Sequence, residues 1–113
     1  MDLTLKDINN FHCTTRYFKM YNFLITDGVK YLCDNGYFWL VSDALIAINS
    51  FKLHDKSYFL SVHLELKGDN KAVMRIEDGN YNVLYEQKYS YTDAQKNIEF
   101  YVIDYIAVLP SEY

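Results

Sequence analysis

Leu60-Ser61-Val62-His63-Leu64-Glu65-Leu66, then Gly68-Asp69-Asn70, then Ala72-Val73-Met74-Arg75-Ile76-Glu77 and Asp78-Gly79, is the stretch that decides the fold. Leu60, Val62, Leu64 and Leu66 alternate with Ser61, His63 and Glu65, the period of a half-buried strand. Ala72, Met74 and Ile76 alternate in the same way with Arg75 and Glu77. Gly68-Asp69-Asn70 reads as a turn, and Asp78-Gly79 is a strong hairpin signal. Working downstream, residues 83–91, 98–103 and 106–109 predict a third, fourth and fifth strand. The short connections favour an antiparallel meander. One face of that sheet is aliphatic, and the other is richer in Tyr, Glu, Lys and Arg.

Working upstream, the signals turn helical. From Tyr37, apolar residues fall at Leu40, Val41, Ala44, Ala47, Ile48 and Phe51, in steps of three and four along one face. Phe38, Leu45 and Ile46 widen the stripe, and Ser42, Asp43 and Asn49 form its polar edge. Thr26-Asp27-Gly28 reads as a helix start, with Thr26 or Asp27 accepting from a free backbone N–H of the first turn. That helix is predicted over 28–34, stopped by Asn35-Gly36. Further short helices are predicted around 5–10 and, from the Tyr17 and Tyr21 spacing, around 15–23. The expected fold is α+β: N-terminal short helices on one face of an antiparallel four- to five-stranded β-meander. The expected organisation is one domain over residues 1–113, with 1–55 mainly helical and 56–113 the sheet.

The chain has 113 residues, half of them apolar, and one proline. Enough apolar surface is present to offset the entropy of ordering, so a packed core is expected rather than disorder. The net charge of −4 argues against a surface that binds phosphates by bulk charge, so direct nucleic-acid binding is not expected. No apolar stretch is long enough to span a membrane, and no leader pattern follows Met1. A cytoplasmic protein, with Cys13 and Cys33 as free thiols, is the expectation.

Each familiar chemistry lacks its pattern. His12, Cys13, Cys33, His54 and His63 show none of the close pairings that zinc sites use, so no metal and no cofactor is expected. Cys13 beside His12 is a poor nucleophile–base pair, because neighbours on an extended chain point opposite ways. Cys33, near a helix C-terminus, faces the wrong dipole for a thiolate. Asp27 and Asp34 are explained by capping and turn roles. Asp43, inside a largely apolar helix, is open to either a polar pocket or the solvent edge. With only four glycines, no phosphate-cradling loop can be drawn. The chain is therefore expected not to be an enzyme.

Tyrosine stands out, with twelve copies. Tyr81, Tyr85, Tyr89, Tyr91, Tyr101 and Tyr105 flank the predicted strands, and Tyr85, Tyr89 and Tyr91 share one strand parity. Two readings stand side by side: an aromatic recognition face, or cross-strand pairing that stabilises the sheet. On the first reading, partner contact falls to Tyr81, Tyr85, Tyr89 and Tyr101 with the acidic positions Asp69, Glu77 and Asp78.

Several blocks together carry a resemblance: Asn10-Phe11-His12-Cys13-Thr14-Thr15-Arg16-Tyr17, Thr26-Asp27-Gly28-Val29-Lys30-Tyr31-Leu32, Tyr37-Phe38-Trp39-Leu40-Val41-Ser42-Asp43-Ala44, Tyr91-Thr92-Asp93 and Leu109-Pro110-Ser111-Glu112-Tyr113. Across its whole length the chain resembles an uncharacterised family of small phage, plasmid and bacterial proteins. Their shared marks are a TDGVKYL-like block and an LPSEY ending. Cys13-Thr14 departs from the glycine–threonine pair more usual there. The resemblance carries no assigned activity and so no catalytic positions. It implies a mobile-element product that binds a bacterial host protein, such as an anti-CRISPR-like inhibitor of a defence effector. Carboxylates presented where phosphates would sit are one way such inhibitors work. The alternatives are a small enzyme or ligand-binding domain for a nucleotide-type signal using Asp43, and a homo-oligomeric module joined through a sheet face or edge.

Overall fold

The computed structural model describes residues 16–113, so the helix expected around 5–10 and the His12–Cys13 pair lie outside the described residues. Strands β1 (Tyr17–Met20) and β2 (Phe23–Thr26) form a hairpin that leads into helix α1 (Asp27–Leu32) and helix α2 (Phe38–Ser50). Strands β3 (Phe59–Gly68), β4 (Lys71–Glu77), β5 (Val83–Tyr89), β6 (Ile98–Ile103) and β7 (Ile106–Val108) follow. The five expected strands are present, but the sheet has seven among the described residues, in the order β1-β2-β7-β6-β3-β4-β5. No helix among the described residues is long and apolar enough to cross a membrane.

Two expectations are corrected. The segment expected as a helix around 15–23 is the β1–β2 hairpin. Tyr17 and Tyr21 do not share a helix face: Tyr21 sits in the turn with φ 57°. Strand alternation governs instead, with Phe23 and Ile25 buried and Leu24 exposed between them.

The sheet is also not a plain meander. Strands β3, β4 and β5 are joined by successive hairpins, and β6 then returns to pair with the far side of β3. That spatial order, fourth strand beside first, is a Greek key. Strand β7 pairs antiparallel with β6 and parallel with β2, which fuses the two halves of the chain into one sheet.

The helices pack on one side of that sheet. Leu40, Val41, Ala44, Leu45 and Ile48 of α2 meet Leu60, Val62 and Leu64 of β3, Met74 and Ile76 of β4, and Phe100 and Val102 of β6, all buried. Burying each such large side chain contributes about 1.5–3 kcal/mol. The opposite face carries Glu65, Arg75, Glu77, Glu86, Lys88, Glu99 and Tyr101, the division that the alternation predicts.

Thr26 caps α1, its Oγ1 accepting from the Val29 N–H at 3.3 Å. The same hydroxyl donates to Glu112 Oε1 at 2.6 Å. Glu112 Oε1 also accepts from the Leu109 N–H at 2.9 Å, and Oε2 accepts from the Gly28 N–H at 3.1 Å. One carboxylate thus fastens the turn Pro110–Glu112 to the start of α1, across 84 residues of sequence. The fit is close: a Cβ on Gly28 would stand 2.5 Å from Leu109 Cδ1 and 2.7 Å from Glu112 Oε1. Between the helices the chain breaks at Gly36, whose φ of 98° suits glycine.

Removing this carboxylate leaves its donors without their acceptor. Glu112→Ala is expected to lower unfolding stability by about 1–3 kcal/mol. Gly28→Ala is expected to cost about as much, by overpacking against buried Leu109. Urea midpoints of both variants equal to that of the unmodified chain would contradict the contact.

Candidate functional site

Among the described residues no element covers the polar face of the sheet, and its side chains divide it into two regions. The central strands β3, β4 and β6 hold a charged region. Ser61 Oγ and His63 Nε2 share a hydrogen bond at 2.7 Å. Glu77 Oε1 lies 3.6 Å from His63 Nε2, and Glu99 Oε2 lies 3.6 Å from Nδ1. Glu65 binds Lys67 at 2.7 Å and Arg75 at 2.6 Å. The Lys67 hydrogen bond, then the Arg75 one, holds the Glu65 carboxyl well below the usual range, at about 2. The same contact with Glu65 raises the Arg75 guanidinium. Glu65 and Arg75 are half-buried and Lys67 is exposed, all at the water-facing surface, so these pairs pattern charge and add little stability.

Beside the charges lies an aromatic corner. The Phe59 and Tyr101 rings are 4.8 Å apart, and Tyr113 stands 5.8 Å from Phe59 and 5.7 Å from Tyr101, edge-on at 82° to Tyr101. Tyr81, 86% exposed, comes from the turn between β4 and β5 at the same end. Burial raises the Tyr101 hydroxyl, with Glu99 and the neighbouring Tyr81 and Tyr113 adding to it. Asp78 shapes that turn, Oδ1 accepting from the N–H groups of Asn80 at 2.8 Å and Asn82 at 3.0 Å. The bond from the Asn82 side chain, then these backbone bonds, lower its carboxyl. Apolar Ile103, Ile106, Val108 and Leu24 extend the corner across β6, β7 and β2.

Of the positions read from the sequence, Tyr81, Tyr101, Glu77 and Asp78 come together here. Tyr85 and Tyr89 do not. They pair with Ile76 and Ala72, whose side chains face the helices, and so point the same way. Tyr89 Oη donates to Asp43 Oδ2 at 2.8 Å, and burial with that carboxylate pushes its hydroxyl upward. Tyr85 packs on Phe51 at 5.2 Å. Their parity looked outward because this edge strand meets the polar flank of α2 at Asp43, not its apolar stripe. Asp69 lies in the β3–β4 turn, at the other end of β4, a strand of seven residues spanning about 20 Å. Phe59 and Tyr113 were missed. Phe59 precedes the alternating run, and only the fold brings Tyr113 beside it.

The other candidates take structural positions. Asp34 pairs with Lys30 at 2.6 Å, one helical turn away, and Asp27 Oδ1 lies 3.7 Å from Arg16 Nε. His54 stacks on Phe23 at 5.8 Å and meets the Tyr105 ring, tilted at 43°, at 4.4 Å. Among the described residues no group of His, Cys, Asp or Glu converges to hold a metal ion. Cys33 is half-buried, and burial, then Asp34, pushes its thiol up to about 11. The Ser61–His63–Glu99 arrangement has the side chains of a hydrolytic triad. Ser61, however, is 7% exposed, and β3 is paired on both sides, so the two ladders take the backbone N–H groups around it. Oxyanion stabilisation needs just such free donors.

A model described as "Family of unknown function (DUF6876)" matches residues 2–113, and the chain belongs to that family. No curated protein and no solved structure matches.

Two titrations check these environments. The Glu65 carboxyl, followed by NMR, is expected to titrate near 2, and a Lys67→Gln/Arg75→Gln variant to return it towards an ordinary glutamate. With the folded value depressed, its small stabilisation is present above the unfolded glutamate pKa and fades as pH falls towards 2. In a Cys13→Ser background, Cys33 is expected to resist iodoacetamide at pH 8, its half-rate point lying near 11. A midpoint near 4 for Glu65, or rapid alkylation of Cys33, would contradict the contacts described.

Proposed function

We propose that this member of the DUF6876 family is a non-enzymatic binding protein whose open sheet face docks on another protein. The observation that carries this is the corner of Phe59, Tyr101 and Tyr113, with Tyr81 beside it, flanked by Glu77, Asp78 and Glu99. Tyrosine offers large contact area at low rotamer cost, with a hydroxyl for the rim, and such clusters serve as anchors in protein interfaces. The carboxylates suit a partner with a basic rim and speed its approach. The partner class we assign is a bacterial host protein, and the role is inhibition or modulation of it, in the manner of a mobile-element factor acting against a defence effector. Support for that finer reading is the resemblance to small phage and plasmid proteins together with an acidic, aromatic docking face.

Tyr81 and Tyr113 are 86% and 76% exposed, so truncating them leaves the core intact. Tagged protein purified from its host is expected to retain a specific protein that a Tyr81→Ala/Tyr113→Ala variant loses by at least about tenfold, the scale of two anchor residues. Ile46→Ala, exposed on the outer side of α2, is expected to retain it. Retention equal in all three, or no specific protein retained, would sink the reading. Light scattering of the purified chain distinguishes a second copy as the occupant.

A further inference from the structure

We propose that the notch between the start of α2 and the end of β5 is a binding site for an alkylammonium head group, of the lysine or tetraalkylammonium kind. It lies on the helix side of the sheet, towards the β3–β4 turn, and so stands apart from the aromatic corner and its proposed partner. Trp39, Tyr89, Tyr91, Thr92 and Asp93 line an open notch of about 310 Å³. Two blocks that stood out in the sequence meet here, one holding Trp39 and the other Tyr91-Thr92-Asp93, and neither takes part in the Glu112 contact.

The walls are built and fixed. The Trp39 and Tyr89 rings meet at 76° with centroids 5.0 Å apart, giving two ring surfaces near a right angle. The hydrogen bond from Tyr89 to Asp43, 2.8 Å long, holds the tyrosine ring in place. Tyr37 stands behind Trp39 at 6.3 Å. Tyr91, 66% exposed, supplies a third ring at the mouth. The buried Thr92 sets the loop: its N–H donates to Asn70 O at 2.6 Å, and its hydroxyl accepts from the Ala94 N–H at 3.1 Å. That turn leaves the Asp93 carboxylate exposed on the notch lining.

The chemistry selects the ligand. Aromatic faces carry negative quadrupole density and attract a cation held against them. The Asp93 carboxylate on the lining, with Asp43 behind Tyr89, adds charge of the same sign and excludes anions. Walls at a right angle enclose a rounded ammonium, whereas a flat guanidinium can stack on only one of them. An uncharged apolar group would use the rings and gain nothing from the carboxylates.

Trp39 is the single tryptophan, so its emission reports on this notch alone. The full chain is titrated at constant ionic strength with tetramethylammonium chloride, its water-soluble neutral near-isostere neopentyl alcohol, and acetyl-Gly-Lys-Gly-amide against its arginine counterpart. A saturable change with tetramethylammonium or the lysine peptide is expected. The first alone assigns a free quaternary solute, and the second alone a protein-borne lysine. The isostere and the arginine peptide are expected to bind roughly 3- to 30-fold more weakly, the range of a partly desolvated cation–π contact. Tyr91→Ala and Asp93→Asn, both at exposed positions, are expected to weaken binding several-fold with unchanged far-UV circular dichroism. No saturable change with either cation, or equal binding of the isostere or the arginine peptide, would overturn the assignment.

Discussion

The carboxylate of Glu112 is the contact on which the arrangement of this molecule turns. It accepts from the Thr26 hydroxyl and from the Gly28 and Leu109 N–H groups, and so closes the helix start with the last turn of the chain. A negative group there meets both unsatisfied N–H donors and the positive end of a short helix. The same contact seats buried Leu109 against Gly28, where no side chain would fit. It also places Tyr113, the next residue, against Phe59 and Tyr101 on the open face. The Thr26–Leu32 and Leu109–Tyr113 blocks, distant in sequence, are in this sense one structural unit.

Much of the sheet was legible because its signal is local. Alternation marked β3 and β4, the segments at 83–91, 98–103 and 106–109 marked β5 to β7, the stripe from Leu40 to Ile48 marked α2, and Thr26 and Gly36 marked the limits of the first helical segment. What was not legible is what distance decides. The β1–β2 hairpin is short, and the Tyr17–Tyr21 spacing imitates a helix turn. The parallel pairing of β2 with β7, Leu24 opposite Ile106, has no local mark at all. Nor does the return of β6 to the far side of β3, which turns a meander into a Greek key.

The candidate surfaces repeat that lesson at the level of single side chains. Tyr85 and Tyr89 share a parity along β5, whereas Tyr91 lies beyond the strand, and which parity faces solvent depends on the helix above it. Asp43 gives that edge of α2 a polar flank, so tyrosines rather than aliphatics fill the space beneath. Tyr89 thereby moves from a recognition face to a wall of the notch beside Trp39. Conversely, Tyr101 needed Phe59 and Tyr113 beside it before it became part of a cluster, and only the closed sheet supplies them.

Native-state hydrogen exchange tests the central contact most directly, because it reads the Gly28 and Leu109 amides one at a time. If both donate to Glu112 in a locked turn, they exchange only through openings as costly as those that expose β6 ladder amides such as Phe100 and Val102. Exchange of either amide at the rate of an exposed turn, with the β6 amides still protected, would contradict the account.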